Sequence, residues 1–116
     1  MATYTKIGHS GSTNGKQIKV AATSTPGTLI HTAQSGTSNF DEVWIYVTNN
    51  HTASVNLTIE WGGTTSTDDL IQQAIPAKTG LYLLVPGLVL QNSLVVRAFA
   101  ATTNVISVSG WVNRIS

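Results

Sequence analysis

Between Ser54 and Trp61 the chain alternates strictly. Val55, Leu57, Ile59 and Trp61 are apolar, while Asn56, Thr58 and Glu60 between them are polar. A period of two predicts a strand with one dry and one wet face. β-branched and aromatic runs of the same kind recur at Thr28–Ala33, Asp41–Thr48, Leu70–Ile75, Gly80–Val85, Leu88–Leu90, Leu94–Ala100 and Val105–Ile115, each bounded by Gly, Pro, Asn or Ser. None of them holds a helical period. Leu70-Ile71-Gln72-Gln73-Ala74 has room for one turn at most before Pro76 stops it. Short runs spaced by turn residues predict an all-β fold, an antiparallel β-sandwich.

Three runs are apolar on both faces. Val43, Ile45 and Val47 oppose Trp44 and Tyr46; Leu81, Leu83 and Val85 oppose Tyr82 and Leu84; Leu94, Val96 and Ala98 oppose Val95, Arg97 and Phe99. A two-layer sandwich has one interior, so its outer faces should be polar. Parallel sheets bury both faces, but they need crossover helices that this sequence lacks. The second apolar face is therefore expected to meet another chain, with Trp44, Tyr46, Tyr82, Leu84 and Phe99 as its oligomer interface.

The first residues have a different texture. Gly8-His9-Ser10-Gly11-Ser12-Thr13-Asn14-Gly15 is loop composition, flanked by short β-like runs at Thr3–Ile7 and Gln17–Ala22. Residues 1–25 read as an extended arm or a loose hairpin outside the core, and residues 26–116 as the sandwich domain. Lys6, Lys16 and Lys19 give residues 1–20 a charge of +3 with no acid, whereas the remaining chain has three basic and five acidic residues, or −2.

Eleven of the 116 residues carry a formal charge, and the net charge is +1. Nothing in that balance favours nucleic acid or an anionic membrane. The apolar stretch from Leu81 to Leu90 is broken by Pro86-Gly87 and is too short for a membrane helix. No apolar leader follows Met1, so classical export is not expected. So few charges favour association.

Candidate chemistry is sparse. There is no cysteine, and His9, His31 and His51 lie too far apart in sequence for two to share a strand or helix face. They read as loop or strand histidines without a special role. Gly8-His9-Ser10-Gly11-Ser12 lacks the last glycine of a nucleophile elbow. Asp68-Asp69 reads as a solvated turn, Asp41-Glu42 as a guard on an edge strand, and Glu60 and Arg97 as a structural cross-strand pair. No catalytic residue, metal ligand or cofactor site is expected, and the chain does not read as an enzyme.

Several segments together resemble a known group. They are Gly27-Thr28-Leu29-Ile30-His31-Thr32-Ala33, Val43-Trp44-Ile45-Tyr46-Val47-Thr48-Asn49, Ala53–Ile59, Ile75-Pro76-Ala77-Lys78-Thr79-Gly80 and Val105–Gly110. The layout, about three quarters of the chain, resembles the small β-sandwich capsid decoration (cement) proteins of tailed bacteriophages. That resemblance implies a jelly-roll-like sandwich, commonly a homotrimer, on the capsid exterior after synthesis in the host cytoplasm. It would clamp the subunits of the major capsid protein and have no catalytic residues. The arm, through Tyr4, Lys6, Ile7, Lys16 and Lys19, would contact the coat protein. A tail, neck or fibre module of the virion and a carbohydrate-binding, lectin-like sandwich are the alternatives.

Overall fold

The computed structural model describes residues 3–116, so the first two residues of the expected arm lie outside it. Among the described residues nine strands form two antiparallel sheets: β1 (Tyr4–Ile7), β2 (Ile18–Lys19), β3 (Thr28–Thr32), β4 (Phe40–Asn49), β5 (Val55–Trp61), β6 (Leu70–Ile75), β7 (Tyr82–Leu90), β8 (Val95–Ala100) and β9 (Ile106–Ile115). Sheet A runs β1-β9-β4-β7, with β2 also on β9; sheet B runs β3-β8-β5-β6. Both β1 and β2 pair with β9, at opposite ends of that strand. Counted as one interrupted strand, they complete two four-stranded sheets. With β1 and β2 taken together, only β5 and β6 are consecutive strands within the same sheet, and every other step crosses between sheets. This is the connectivity of an eight-stranded jelly roll.

The interior is built by alternation. In β4, Val43, Ile45 and Val47 point inward and are fully buried, while Trp44 and Tyr46 point outward and are half-buried. Sheet A adds Val85, Val108 and Val112; sheet B answers with Ile30, Leu57, Ile59, Val96 and Ala98. Each large aliphatic side chain taken fully out of water contributes about 1.5–3 kcal/mol, which makes this facing set the main source of stability.

The chain differs from its sequence reading at four places. Residues 18–20 are not outside the core: Ile18 and Val20 belong to it, because the segment closes the edge of sheet A along β9. Nor do β1 and β2 form a hairpin with each other. The runs on either side of Pro86-Gly87 form one strand, β7, whose register against β4 shifts at Val43/Trp44 and at Ile45/Tyr46. The outer face of β5 is wet only at Asn56. Thr58 and Glu60 are buried, Glu60 beneath the segment Thr25–Gly27, which donates to its carboxylate from Thr25 Oγ1 and from the Gly27 amide, both at 2.6 Å. Finally, Asp41 guards no edge. β4 lies between β9 and β7, and Asp41 is fully buried.

Candidate functional site

The outward side chains of sheet A can be placed row by row from the register. Tyr4, Ile115 and Phe40 align across β1, β9 and β4. Next come Lys6, Asn113, Glu42 and Val89, then Trp111, Trp44 and Pro86, then Ser109, Tyr46 and Leu83, and last Lys19, Ser107 and Thr48. Aromatic rings therefore concentrate at the middle of the face.

Neighbouring strands stand about 4.8 Å apart, close to the spacing at which rings stack. Trp44 and Trp111 accordingly lie with centroids 5.2 Å apart and planes 12° apart, and Tyr46 lies 5.9 Å from Trp111. Lys6 Nζ sits 4.7 Å from the Trp111 ring centroid, approaching from the β1 side while Trp44 approaches from β4. Such a cation over an indole contributes about 0.5–1 kcal/mol at an exposed site. On the β7 side, Gly87 lies against Trp44: a Cβ there would fall 2.9 Å from Trp44 Cζ2. Its φ of +78° is a second reason for glycine. The Trp44 indole N–H is donated to Glu42 Oε1 at 3.1 Å.

The rings thus stand as a row between Lys6 and Gly87, with their faces largely turned toward one another. Apolar exposure continues onto the edge strand, where Leu83 is 41% and Val89 51% exposed. A flat sugar-stacking platform needs a free ring face, and the central ring, Trp111, is approached on both sides.

The five expected interface residues do not form one surface. Trp44 and Tyr46 lie together on the outer face of sheet A. Tyr82 pairs with Val47, whose side chain faces the other way, and Leu84 packs against the core, being the extra residue at a register shift. Phe99 is on β8, opposite Thr58, on the outer face of sheet B. Among the expected arm residues, Tyr4 and Lys6 join the sheet A face at one end and Lys19 at the other. Ile7 packs against the core, and Lys16 is an exposed loop residue whose carbonyl accepts from Ser12 Oγ. Trp111 was the residue to add. It lies opposite Trp44 only because β9 pairs with β4, a long-range pairing that local spacing does not reveal.

A second cluster lies inside one end of the sandwich. His9 and His31, 22 residues apart in the chain, come to 6.2 Å between ring centroids, and both are buried. The Ser10 amide donates to His31 Nδ1 at 3.0 Å, so Nε2 carries the proton and donates to Asp41 Oδ2 at 2.7 Å. Arg114 holds the same carboxylate in a fork, Nε to Oδ1 and Nη2 to Oδ2, both 3.0 Å. Gln34 donates to Asp41 Oδ1 as well. His9 reaches past Gly110, where a Cβ would stand 3.2 Å from its ring, and donates from Nε2 to the Trp44 carbonyl at 2.8 Å.

Burial pushes the His9 imidazole down from its ordinary pKa, against the pull of its Trp44 hydrogen bond. Burial likewise lowers His31, against its bond to Asp41. For Asp41, burial works against the charge, but the hydrogen bonds from Arg114 and His31 outweigh it and hold the carboxyl below its usual range. The order Ser10, His31, Asp41 is not a hydrolytic triad. The imidazole nitrogen that would serve as base is occupied by the Ser10 amide, and Ser10 Oγ accepts from the Thr32 amide at 2.7 Å. Among the described residues, no three His, Cys, Asp or Glu side chains converge as metal ligands.

Glu60 and Arg97 are cross-strand neighbours, but both bond to the Thr25–Gly27 segment, Arg97 donating to the Gly27 carbonyl at 3.4 Å. Asp69 closes its own turn by accepting from the Thr65 amide. A shallow polar depression of about 230 Å³ on sheet B is lined by Asn56, Thr58, Gln72, Gln73 and Ala74. No protein-family model, curated protein or solved structure matches the chain.

Proposed function

We propose that this protein is a structural component of a virion, a capsid decoration protein that binds the outer surface of the assembled coat. Its docking surface is the outer face of sheet A. The observation that carries the reading is the ring row Lys6–Trp111–Trp44, continued by Tyr46, Leu83 and Val89, on a face that a free-standing sandwich would keep polar. Aromatic residues with a polar rim are the usual anchors of protein interfaces. The segment resemblance to cement proteins supports the same reading, as does a chain with only eleven charges. In this reading the protein acts as a homotrimer, and three copies engage a repeating lattice with added avidity.

The test is to add purified protein to undecorated capsids and follow co-sedimentation and the temperature of capsid disassembly. The expected result is saturable binding and a raised disassembly temperature, both lost in Trp44→Glu while that variant keeps the wild-type far-UV circular dichroism. A protein that sediments apart from the capsids, or a Trp44→Glu variant that still binds them, overturns the reading. Sedimentation velocity on the free protein reads the trimer directly.

A further inference from the structure

We infer that His31 is a proton-operated latch on the amino-terminal loop: a proton taken up at its Nδ1 releases residues 8–12 from the sandwich while the two sheets remain folded.

The geometry that carries this is the tautomer. His31 Nδ1 holds the Ser10 amide with its lone pair, and Nε2–H is committed to Asp41. A proton on Nδ1 removes that lone pair and sets two N–H groups against each other at 3.0 Å. The amide must then leave. His31 cannot turn away instead, because it is fully buried and its other nitrogen is fixed by the carboxylate.

The loop has few other holds on the body. Gly11 N–H bonds to the Ile30 carbonyl, Thr32 N–H bonds to Ser10 Oγ, and His9 Nε2–H bonds to the Trp44 carbonyl. All three lie within two residues of Ser10. The loop also sits too close on β3 to shift in place: a Cβ at Gly11 would fall 2.6 Å from the Leu29 carbonyl oxygen.

The charges around the latch favour the same outcome. His31 faces Asp41 from β4, Arg114 from β9 and His9 from the loop itself, while on β8 it is paired with the uncharged Val96. The single negative charge is already matched by the forked Arg114 guanidinium. A protonated His31 leaves this buried cluster with excess positive charge, next to a second imidazole whose own burial disfavours a proton. Movement of the loop lets water reach the new charge. Histidine ordinarily takes up its proton in the mildly acidic range, and burial moves His31 to the acid side of its ordinary value, so the latch is an acid-operated one.

Amide hydrogen exchange at about pH 7.5 and about pH 5, corrected for intrinsic rates, tests this. The expected result is loss of protection at Ser10, Gly11 and Thr32 in acid, with protection retained in β4 and β5. His31→Gln removes the titration and is expected to abolish the difference between the two pH values. His9→Gln is expected to keep it. Three outcomes overturn the inference: loop and sheets losing protection together, loop protection unchanged down to about pH 5, or a response that survives His31→Gln and disappears in His9→Gln. Should His31→Gln fail to fold, the wild-type exchange pattern and the His9→Gln variant still decide.

Discussion

Asp41 shows what a single side chain can do here. It is fully buried, yet it accepts from His31, Gln34 and both arms of the Arg114 fork. It thereby ties β3, β4 and β9 at one end of the sandwich. Replacing it with Asn removes the charge that Arg114 pairs with and leaves the cluster with an unmatched cation. Loss of one partner of a buried pair costs about 3–5 kcal/mol. Arg114 is a third exposed, so the lower end of that range is expected for Asp41→Asn, measured by urea unfolding. Little of this was legible in the sequence. Asp41-Glu42 has the composition of an edge guard, and the three histidines share no spacing. The partners of Asp41 come from positions 31, 34 and 114, and only the folded topology brings them together.

At the scale of elements, alternation was a good guide where one face is dry, and weaker where side chains of the same sheet cover each other. β5, β6 and β9 begin and end within a residue or so of the runs that predict them. β7 did not, because Pro86-Gly87 reads as a break. In the structure proline is tolerated on an edge strand, and Gly87 accommodates the Trp44 indole. The amino-terminal segment was the larger difference. Its glycine-rich middle suggests an arm, but the loop merely interrupts one jelly-roll strand, and Ile18 and Val20 beyond it are core residues. Deleting residues 1–22 therefore removes two buried aliphatic side chains and the buried His9, together with the pairing along β9. At about 1.5–3 kcal/mol per buried side chain, the loss is a large share of the 5–15 kcal/mol typical of a domain. The truncated chain is expected to unfold at clearly lower urea concentration than the full chain, or to lack a cooperative transition altogether.

For the molecule as a whole, fold class was readable from the pattern of runs, whereas the surface that matters was readable only in part. Trp44 and Tyr46 were visible as outward aromatics; Trp111, their partner, was not. The buried cluster also gives the whole molecule a pH profile. His9 and His31 have lowered pKa values, so below the ordinary value of 6.5 the unfolded chain takes up protons that the folded chain refuses, and stability falls until the folded-state values are passed. Asp41 is also lowered, so its contribution is complete above the ordinary value of 3.8 and is lost as pH falls through its folded-state value. Thermal melts are expected to be level above about pH 7, to decline below about 6.5 and to decline again below about 3.8. A midpoint that rises on acidification from neutrality would contradict this. The stacked indoles have an optical consequence too. Two rings 5.2 Å apart and nearly parallel share their electronic transitions, so their absorption is coupled and strongly dependent on their mutual angle. Near-ultraviolet circular dichroism from Trp44 and Trp111 is therefore a built-in, label-free signal for anything that settles on this face or disturbs the strands beneath it.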